Sequence, residues 1–298
     1  MGRGSWDNAS RATYSSFTSH ARHKSTDEIY ASRSMHKDLN PYGVTRESRD
    51  SVENPASTPI IIGLDVTGSM GMLADTIARS GLGIAFDSLL AKKPVTDPHL
   101  MFMGIGDAYC DQAPLQVSQF EADASIIEQI TNLFIEHGGG GNNTESYNFP
   151  WYFGATHTLI DSMEKRNKKG YLFTCGDEEA PAPLSPEQIK RFIGDEVQGN
   201  ISSKELLRMA SEKYNCFHII IEEGSYARSK LKQVRDSWQK LMGQHVVGLS
   251  DHTKLAETIV SIIEIVEKTT GDITTSWTDP GTAAIVHEAT KHLLRKSA

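Results

Sequence analysis

From residue 59 onward, short continuous apolar runs alternate with longer stretches whose apolar residues recur at helical spacing. The runs predict strands covered on both faces, and they occupy residues 60–64, 100–105, 171–174, 216–221 and 246–249. The amphipathic stretches predict helices at about 70–90 and 126–134, from Pro150 through Met163, and at 255–266. Strands that alternate with helices favour a doubly wound α/β fold, with a mostly parallel central sheet and helices on both faces. Leu115–Val117 predicts an antiparallel edge strand.

The same pattern divides the chain into three segments. Residues 1–58 are polar, rich in Ser, Arg, His, Asp and Asn, and show no sustained periodicity. They predict an extended or disordered N-terminal arm that orders only against its own domain or a partner. Residues 59–268 form the α/β domain, and residues 269–298 are expected to be a linker and a short C-terminal helix from about Pro280.

Composition and charge are those of an ordinary globular protein, with 38% hydrophobic and 23% charged residues. The formal net charge of −8 argues against nucleic acid as a partner. Three cysteines without paired spacing indicate reduced thiols. Because no apolar run reaches membrane-spanning length and the first residues lack the apolar stretch of a signal peptide, a cytoplasmic location without membrane contact is expected.

Oxygen-bearing side chains follow the first strand of the α/β domain. Asp65, Thr67 and Ser69 stand at alternate positions, and Gly68 permits a tight turn before the next helix. Ligands of parallel sheets bind at the carboxyl ends of the strands, and hard oxygen donors suit Mg²⁺, or Mn²⁺ and Ca²⁺ at longer distances. Because two of these donors are uncharged hydroxyls, a bound cation would keep enough positive charge to accept a carboxylate from outside.

The Asp65-x-Thr67-x-Ser69 motif resembles the metal-ion-dependent adhesion site (MIDAS) of von Willebrand factor A-type (vWA) domains. The resemblance covers residues 59–268. It implies a Rossmann-like vWA fold with a MIDAS-bound Mg²⁺. It also implies an intracellular protein-binding module, not an enzyme, whose metal engages a Glu or Asp of a partner protein within a larger assembly.

Two further MIDAS positions have candidates in this chain. The family's middle ligand follows a glycine run, which is residues 138–141 here; Thr144 is favoured, and Asn142 is the alternative because many relatives carry Gly-Gly-Gly-Asp-x-Pro-Glu at this point. The family's last ligand is an Asp at the end of the next strand, which corresponds to Asp177. The adjacent Glu178 and Glu179 are expected to be loop carboxylates.

Asp107 follows the strand at residues 100–105, so it ends on the same edge of the sheet as the proposed ligands. Several carboxylates on one edge repel each other or acquire raised pKa values unless a cation neutralises them. Asp107 is therefore expected to support the site through a metal-bound water molecule.

Other interpretations fit parts of the pattern. Asp65-x-Thr-Gly-Ser also resembles the phosphorylated loop of haloacid-dehalogenase-type phosphotransferases, with Asp65 as nucleophile and Mg²⁺ as cofactor. In that family the acidic metal motif comes last, whereas Asp107 precedes the candidate Thr174. Alternatively, the chain is a structural or assembly subunit whose arm, residues 1–58, threads into a neighbour. Each oxygen-bearing residue taken alone could also be a helix cap or turn residue.

Overall fold

The computed structural model describes residues 4, 7–21, 23–68, 70–136, 143–270 and 272–294. In these residues the β-strands are β1 Arg46–Ser48, β2 Thr58–Asp65, β3 Pro98–Ile105, β4 Leu115–Val117, β5 Thr158–Ile160, β6 Gly170–Gly176, β7 Tyr214–Ile221 and β8 Val246–Leu249. The α-helices are α1 Asn8–Ala21, α2 Thr26–Ile29, α3 Gly71–Thr76, α4 Leu82–Lys92, α5 Ser125–Thr131, α6 Phe149–Thr156, α7 Asp161–Arg166, α8 Pro186–Phe192, α9 Ser203–Lys213, α10 Ser225–Met242, α11 Leu255–Glu267 and α12 Pro280–Leu294. A π-helical turn, Ile77–Gly81, joins α3 to α4.

The central sheet of the described part has six strands in the order β4-β3-β2-β6-β7-β8. All neighbouring strands are parallel except β3 and β4, which are antiparallel. The predicted mixed α/β fold, with a mostly parallel sheet and one antiparallel edge strand, is confirmed.

Alternate residues of the strands pack into two separate cores. On one side, Ile60, Ile62 and Leu64 of β2 share a core with residues of α3, α4 and α11. On the other side, Ile61 lies in a core with residues of α6, α9 and α10. Because apolar side chains cover both faces, a strand such as β2 must be continuously apolar, and that is the pattern from which it was predicted.

The N-terminal segment is not the extended arm that its composition predicts. In α1, Tyr14, Phe17 and Ala21 recur at helical spacing and pack against the core beneath α4. The helix is capped by Asp7, whose Oδ1 accepts a hydrogen bond from the backbone nitrogen of Ser10 at 2.8 Å. A narrow apolar stripe within a polar composition therefore orders this segment against its own domain.

The helix expected from Pro150 through Met163 is interrupted. α6 ends at Thr156, and β5 then pairs in parallel with β1. The side chain of Leu159, expected to face the core, is 40% exposed because it points outward from this two-stranded sheet. The β-branched residues at both ends of β5 and the available partner strand favour the extended conformation.

The C-terminal helix, the cysteines and the apolar content of the helices were also subjects of sequence-based expectations. α12 begins at Pro280, where the C-terminal helix was expected to begin. Cys110, Cys175 and Cys216 are free thiols. Of the helices in the described ranges, none is both long and apolar enough to cross a membrane.

Candidate cation site

The connections that leave β2 and β6 run in opposite directions across the sheet. β2 leads to β3 on one side, whereas its neighbour β6 leads to β7 on the other. In open α/β sheets, ligands bind outside the carboxyl ends of the strands at the point where the connections diverge. Asp65 ends β2 and Asp177 directly follows β6, so the topology brings two of the predicted ligands to this point.

Asp65 is fully buried, and both of its carboxylate oxygens accept hydrogen bonds. Oδ1 accepts from the backbone nitrogen of Thr67 at 3.0 Å and from the Thr67 hydroxyl at 2.6 Å. Oδ2 accepts from the Tyr147 hydroxyl at 2.7 Å. Burial raises the pKa of Asp65 to about 6, and the nearby charge of Asp177 acts in the same direction. The structure thus brings Asp65 and Thr67 together as predicted.

Asp177 is buried, and one of its oxygens is held by the first turn of α10. Oδ2 accepts a hydrogen bond from the backbone nitrogen of Tyr226 at 2.8 Å. A Cβ atom at position 224 would lie 2.3 Å from the Asp177 Cβ, so only Gly224 lets the chain pass this close. Oδ1 is buried without a hydrogen-bond partner among the described residues, and burial raises the pKa of this carboxyl. Leaving such an oxygen unpaired costs about 1–3 kcal/mol, so it is available to a water molecule or to a cation.

The candidate middle ligand, Thr144, faces the rim of the site. Its hydroxyl lies 3.1 Å from the carbonyl oxygen of Glu179 and 3.2 Å from that of Glu145, and it donates to these carbonyls rather than to Asp65 or Asp177. The alternative ligand Asn142 and the predicted ligand Ser69 both lie outside the described residues.

Asp107 lies on the same edge of the sheet as the site. It is 1% exposed, its Oδ1 accepts a hydrogen bond from the backbone nitrogen of Tyr109 at 3.0 Å, and its Oδ2 accepts one from the Cys110 thiol at 3.1 Å. The neighbouring Ala108 nitrogen donates to the Ser146 hydroxyl at 2.9 Å, which joins this loop to the chain leading into α6.

Two further carboxylates of the site, the buried Glu145 and the half-buried Glu178, were not predicted from the sequence. Burial, followed by the charge of Asp65, raises the pKa of Glu145 to about 10 and that of Glu178 to about 8. Each has a buried Oε2 atom without a hydrogen-bond partner among the described residues. Glu178 is therefore not the solvated loop residue that was expected. In the sequence, their positions directly after the predicted ligands Thr144 and Asp177 were the feature that could have indicated a place in the site.

Tyr147 was missed as well, although it orients Asp65. Its ring packs edge-on against His218 and Trp238, with centroid distances of 5.2 and 5.5 Å. A Cβ atom at position 176 would lie 2.1 Å from the Tyr147 oxygen, so Gly176 at the end of β6 makes room for this hydroxyl to reach Asp65. A buried aromatic residue in a loop gives no sequence signal for such a role.

The carboxylate oxygens at this edge of the sheet are of the kind that binds a hard divalent cation. Their pKa values are raised mainly by burial and by one another's charges, with no basic side chain among the principal causes. Three of the buried carboxylate oxygens, in Glu145, Asp177 and Glu178, are unpartnered among the described residues. Several buried carboxylates can remain ionised together only if a positive charge joins them.

Another group of potential ligands is more tightly spaced. Within the described ranges, Glu223, Asp251 and His252 are the residues whose ligand atoms all lie within 4.8 Å of one another. These side chains are half-buried, and Glu223 Oε2 already lies 2.7 Å from His252 Nδ1. The oxygens around Asp65 are more widely spaced, so a cation there would be held partly through water molecules.

The chain matches no family model, and it matches no curated protein. Among solved structures, the pilus adhesin SpaC of Lactobacillus rhamnosus GG in its open conformation has a TM-score of 0.46 and 9% identity, over 76% of this chain and 31% of the adhesin. A second crystal form of SpaC has a TM-score of 0.45 and 9% identity, over 74% and 32% of the two chains. The chain thus spans about a third of the adhesin's length. A similarity of this degree carries no conclusion about function.

Proposed function

We propose that this chain is a vWA-type protein-binding module that holds a divalent cation between the ends of β2 and β6 and uses it to engage a carboxylate of a partner protein. The observation that carries the proposal is the buried Oδ1 of Asp177, which lacks a hydrogen-bond partner among the described residues and lies near the fully buried Asp65. The Asp-x-Thr-x-Ser order after β2 supports it. We place the module in the cytoplasm, where its three free thiols would stay reduced.

Asp65, Thr67 and Asp177 would hold the cation, together with Ser69. Mg²⁺ is the favoured ion, and Mn²⁺ or Ca²⁺ are alternatives. When bound, the cation supplies an electrophilic centre for an incoming carboxylate oxygen. Thr67 and Tyr147 orient the Asp65 carboxylate by hydrogen bonds, and the backbone of α10 orients Asp177. These contacts fix the donors before the ion binds.

The contacts of the site support binding better than phosphoryl transfer. In the alternative hypothesis an acidic metal motif should follow the strand-borne threonine, whereas Asp107 precedes Thr174 in the chain. Thr174 lies within β6, two residues before the strand ends, and its hydroxyl is 2.9 Å from His218 Nδ1. Packing of α1 against its own domain likewise lends no support to an arm that threads into a neighbour.

Calorimetry and thermal unfolding with Mg²⁺, Mn²⁺ and Ca²⁺ test the cation site. The wild-type chain is expected to bind one of these ions, and at one hundred times its Kd the ion should stabilise the fold by about 2.7 kcal/mol. Asp65→Asn should abolish uptake, whereas Asp161→Asn, a buried carboxylate remote from the site, should bind the ion as the wild type does. Absence of uptake by the wild type, or equal uptake by Asp65→Asn, contradicts the proposal.

A further inference from the structure

A narrow cleft opens beside the candidate cation site. Asp107 and Tyr109, from the loop after β3, form one wall, and residues 181–184 form the other. Glu145 and Asn148, which precede α6, also line it. Its cavity volume of about 10 Å³ is room for a single group the size of a water molecule.

Asn148 presents an unused acceptor in this cleft. Its side chain is fully buried, and Oδ1 has no hydrogen-bond partner among the described residues. The orientation of the amide is determined, because Nδ2 donates to the carbonyl oxygen of Ala182 at 2.6 Å and a carbonyl can only accept. Asn148 precedes α6, yet its side chain makes no capping hydrogen bond. The oxygen is therefore left for a donor that the described chain does not supply.

Glu145 presents a second unused acceptor. Its side chain is 5% exposed, and Oε2 is likewise without a partner in the described part of the chain. Two independent side chains, both more than nine-tenths buried, thus line one cleft with oxygens to which no described residue donates. A water molecule could satisfy them, but so could a group that brings N–H donors and a positive charge.

The remaining lining residues favour a positive charge. Asp107 adds a buried carboxylate to the wall, and the neighbouring Glu145 is a second acid. Tyr109, which is 68% exposed, stands as an aromatic residue on the solvent side, where its ring can lie against the alkyl stem or the charge of an incoming lysine. A primary ammonium group is close to water in size and carries three donors.

We propose that this cleft is a subsite for a primary ammonium group, filled by a lysine side chain of the partner protein. The subsite rests on the proposed function only in that the same partner places a carboxylate on the neighbouring cation. The partner segment would then present a Glu or Asp and a Lys at nearby positions. Recognition of both charges together would exclude segments that carry only one of them.

Methylammonium chloride tests the subsite without any partner or divalent ion. Its titration into the full chain, followed by amide NMR, should give saturable shifts for residues 144–148, and sodium chloride at equal ionic strength should not. Glu145→Gln should weaken the response at least about tenfold. Tyr109→Ala, an exposed position, should weaken it less, while Tyr42→Ala, an exposed aromatic residue lining none of this cleft, should leave it unchanged. Absence of saturation in the wild type overturns the subsite and leaves a water-filled cleft.

Two capped peptides connect the subsite to the cation. They carry one glutamate each and differ only in a neighbouring lysine or norleucine, and their binding is measured with Mg²⁺ present. The lysine peptide should bind about tenfold more tightly, and Glu145→Gln should remove that difference. Asp65→Asn should weaken both peptides equally. Equal binding of the two peptides refutes the subsite and leaves the cation site standing, whereas lysine-dependent binding that ignores Mg²⁺ and Asp65→Asn refutes only the proposed use of the cation.

Discussion

Two clusters of charged side chains lie at opposite ends of β2, and each contains buried or half-buried carboxylates. The basal cluster, at the amino end, consists of Arg49, Asp50, Asp161, Lys165 and Arg166. The rim cluster, at the carboxyl end, consists of Asp65, Glu145, Asp177 and Glu178. The first contains its own cations, and the second does not.

The pKa values show the consequence of this difference. In the basal cluster, burial alone would raise the pKa of Asp50, but hydrogen bonds from Arg166 and Ser57 hold it below its usual range. In the rim cluster, burial and neighbouring carboxylates raise the pKa of Asp65 and Glu145. Residues of the same chemical type are thus paired with basic side chains inside the fold at one end, whereas at the other end their ionised forms are disfavoured unless a positive charge binds beside them.

The largest expected difference between the two clusters is in the free energy of unfolding after one carboxylate of each is neutralised. Asp50→Asn should lower the free energy of unfolding by about 2 kcal/mol, because it removes the charge that accepts hydrogen bonds from Arg166 and Ser57. Asp65→Asn, measured in chelator, should change it by less than about 1 kcal/mol, since the amide oxygen can still accept from Thr67, the amide nitrogen can donate to the Tyr147 hydroxyl, and one repulsive charge is lost. Urea unfolding measures both. Equal losses of unfolding free energy would mean that the carboxylates of the rim cluster are stabilised within the fold as well as those of the basal cluster.

The sequence predicted those parts of the molecule that depend on local pattern. The strands are apolar because both of their faces are covered, and Asp65 and Thr67 stand two residues apart on one turn. Asp177 could be placed because neighbouring parallel strands end at the same edge. No distant contact had to be known for these assignments.

The parts that the sequence did not predict depend on contacts between distant segments. Tyr147 reaches Asp65 across 82 positions of the chain. Glu145 and Glu178 lose most of their contact with solvent only when the loop before α6 meets the loop after β6. In the N-terminal segment, the stripe on α1 was obscured by the polar residues around it, and its burial depends on the surface of α4.

At the basal end of β2, the buried His99 should make the stability of the fold depend on pH. His99 pairs with Pro59 of β2, and its Nδ1 lies 3.1 Å from the Ser48 hydroxyl. Asp97 and Asp50 are acidic groups near it. Burial lowers the pKa of His99 to about 4. Acid therefore protonates this residue in the unfolded chain first, and its contribution, complete above the unfolded pKa of about 6.5, is lost as the pH falls towards 4.

Between pH 7 and pH 5 this histidine alone should lower the free energy of unfolding by about 2 kcal/mol. His99→Gln should remove that part of the pH dependence, as measured by urea unfolding at the two pH values. The raised pKa values of the rim act in the opposite direction, because they favour folding as the pH falls. A pH profile of His99→Gln identical to that of the wild type would show that His99 is not the group responsible.

The smallest expected change in stability comes from Glu145→Gln, and it tests the rim cluster directly. Glu145→Gln should raise the free energy of unfolding by about 1 kcal/mol in chelator, since it removes a buried acid whose ionisation the fold opposes. Asp161→Asn should have the opposite sign, because Arg49 and Lys165 each lose one of their acidic partners, and Asp161 is the most deeply buried of these. Saturating Mg²⁺ should shrink the gain of Glu145→Gln, since a bound cation would offset the repulsion that the substitution relieves. If the gain were the same with and without Mg²⁺, the repulsion at the rim would be independent of a cation, and the contrast between the two ends of β2 would no longer indicate a metal.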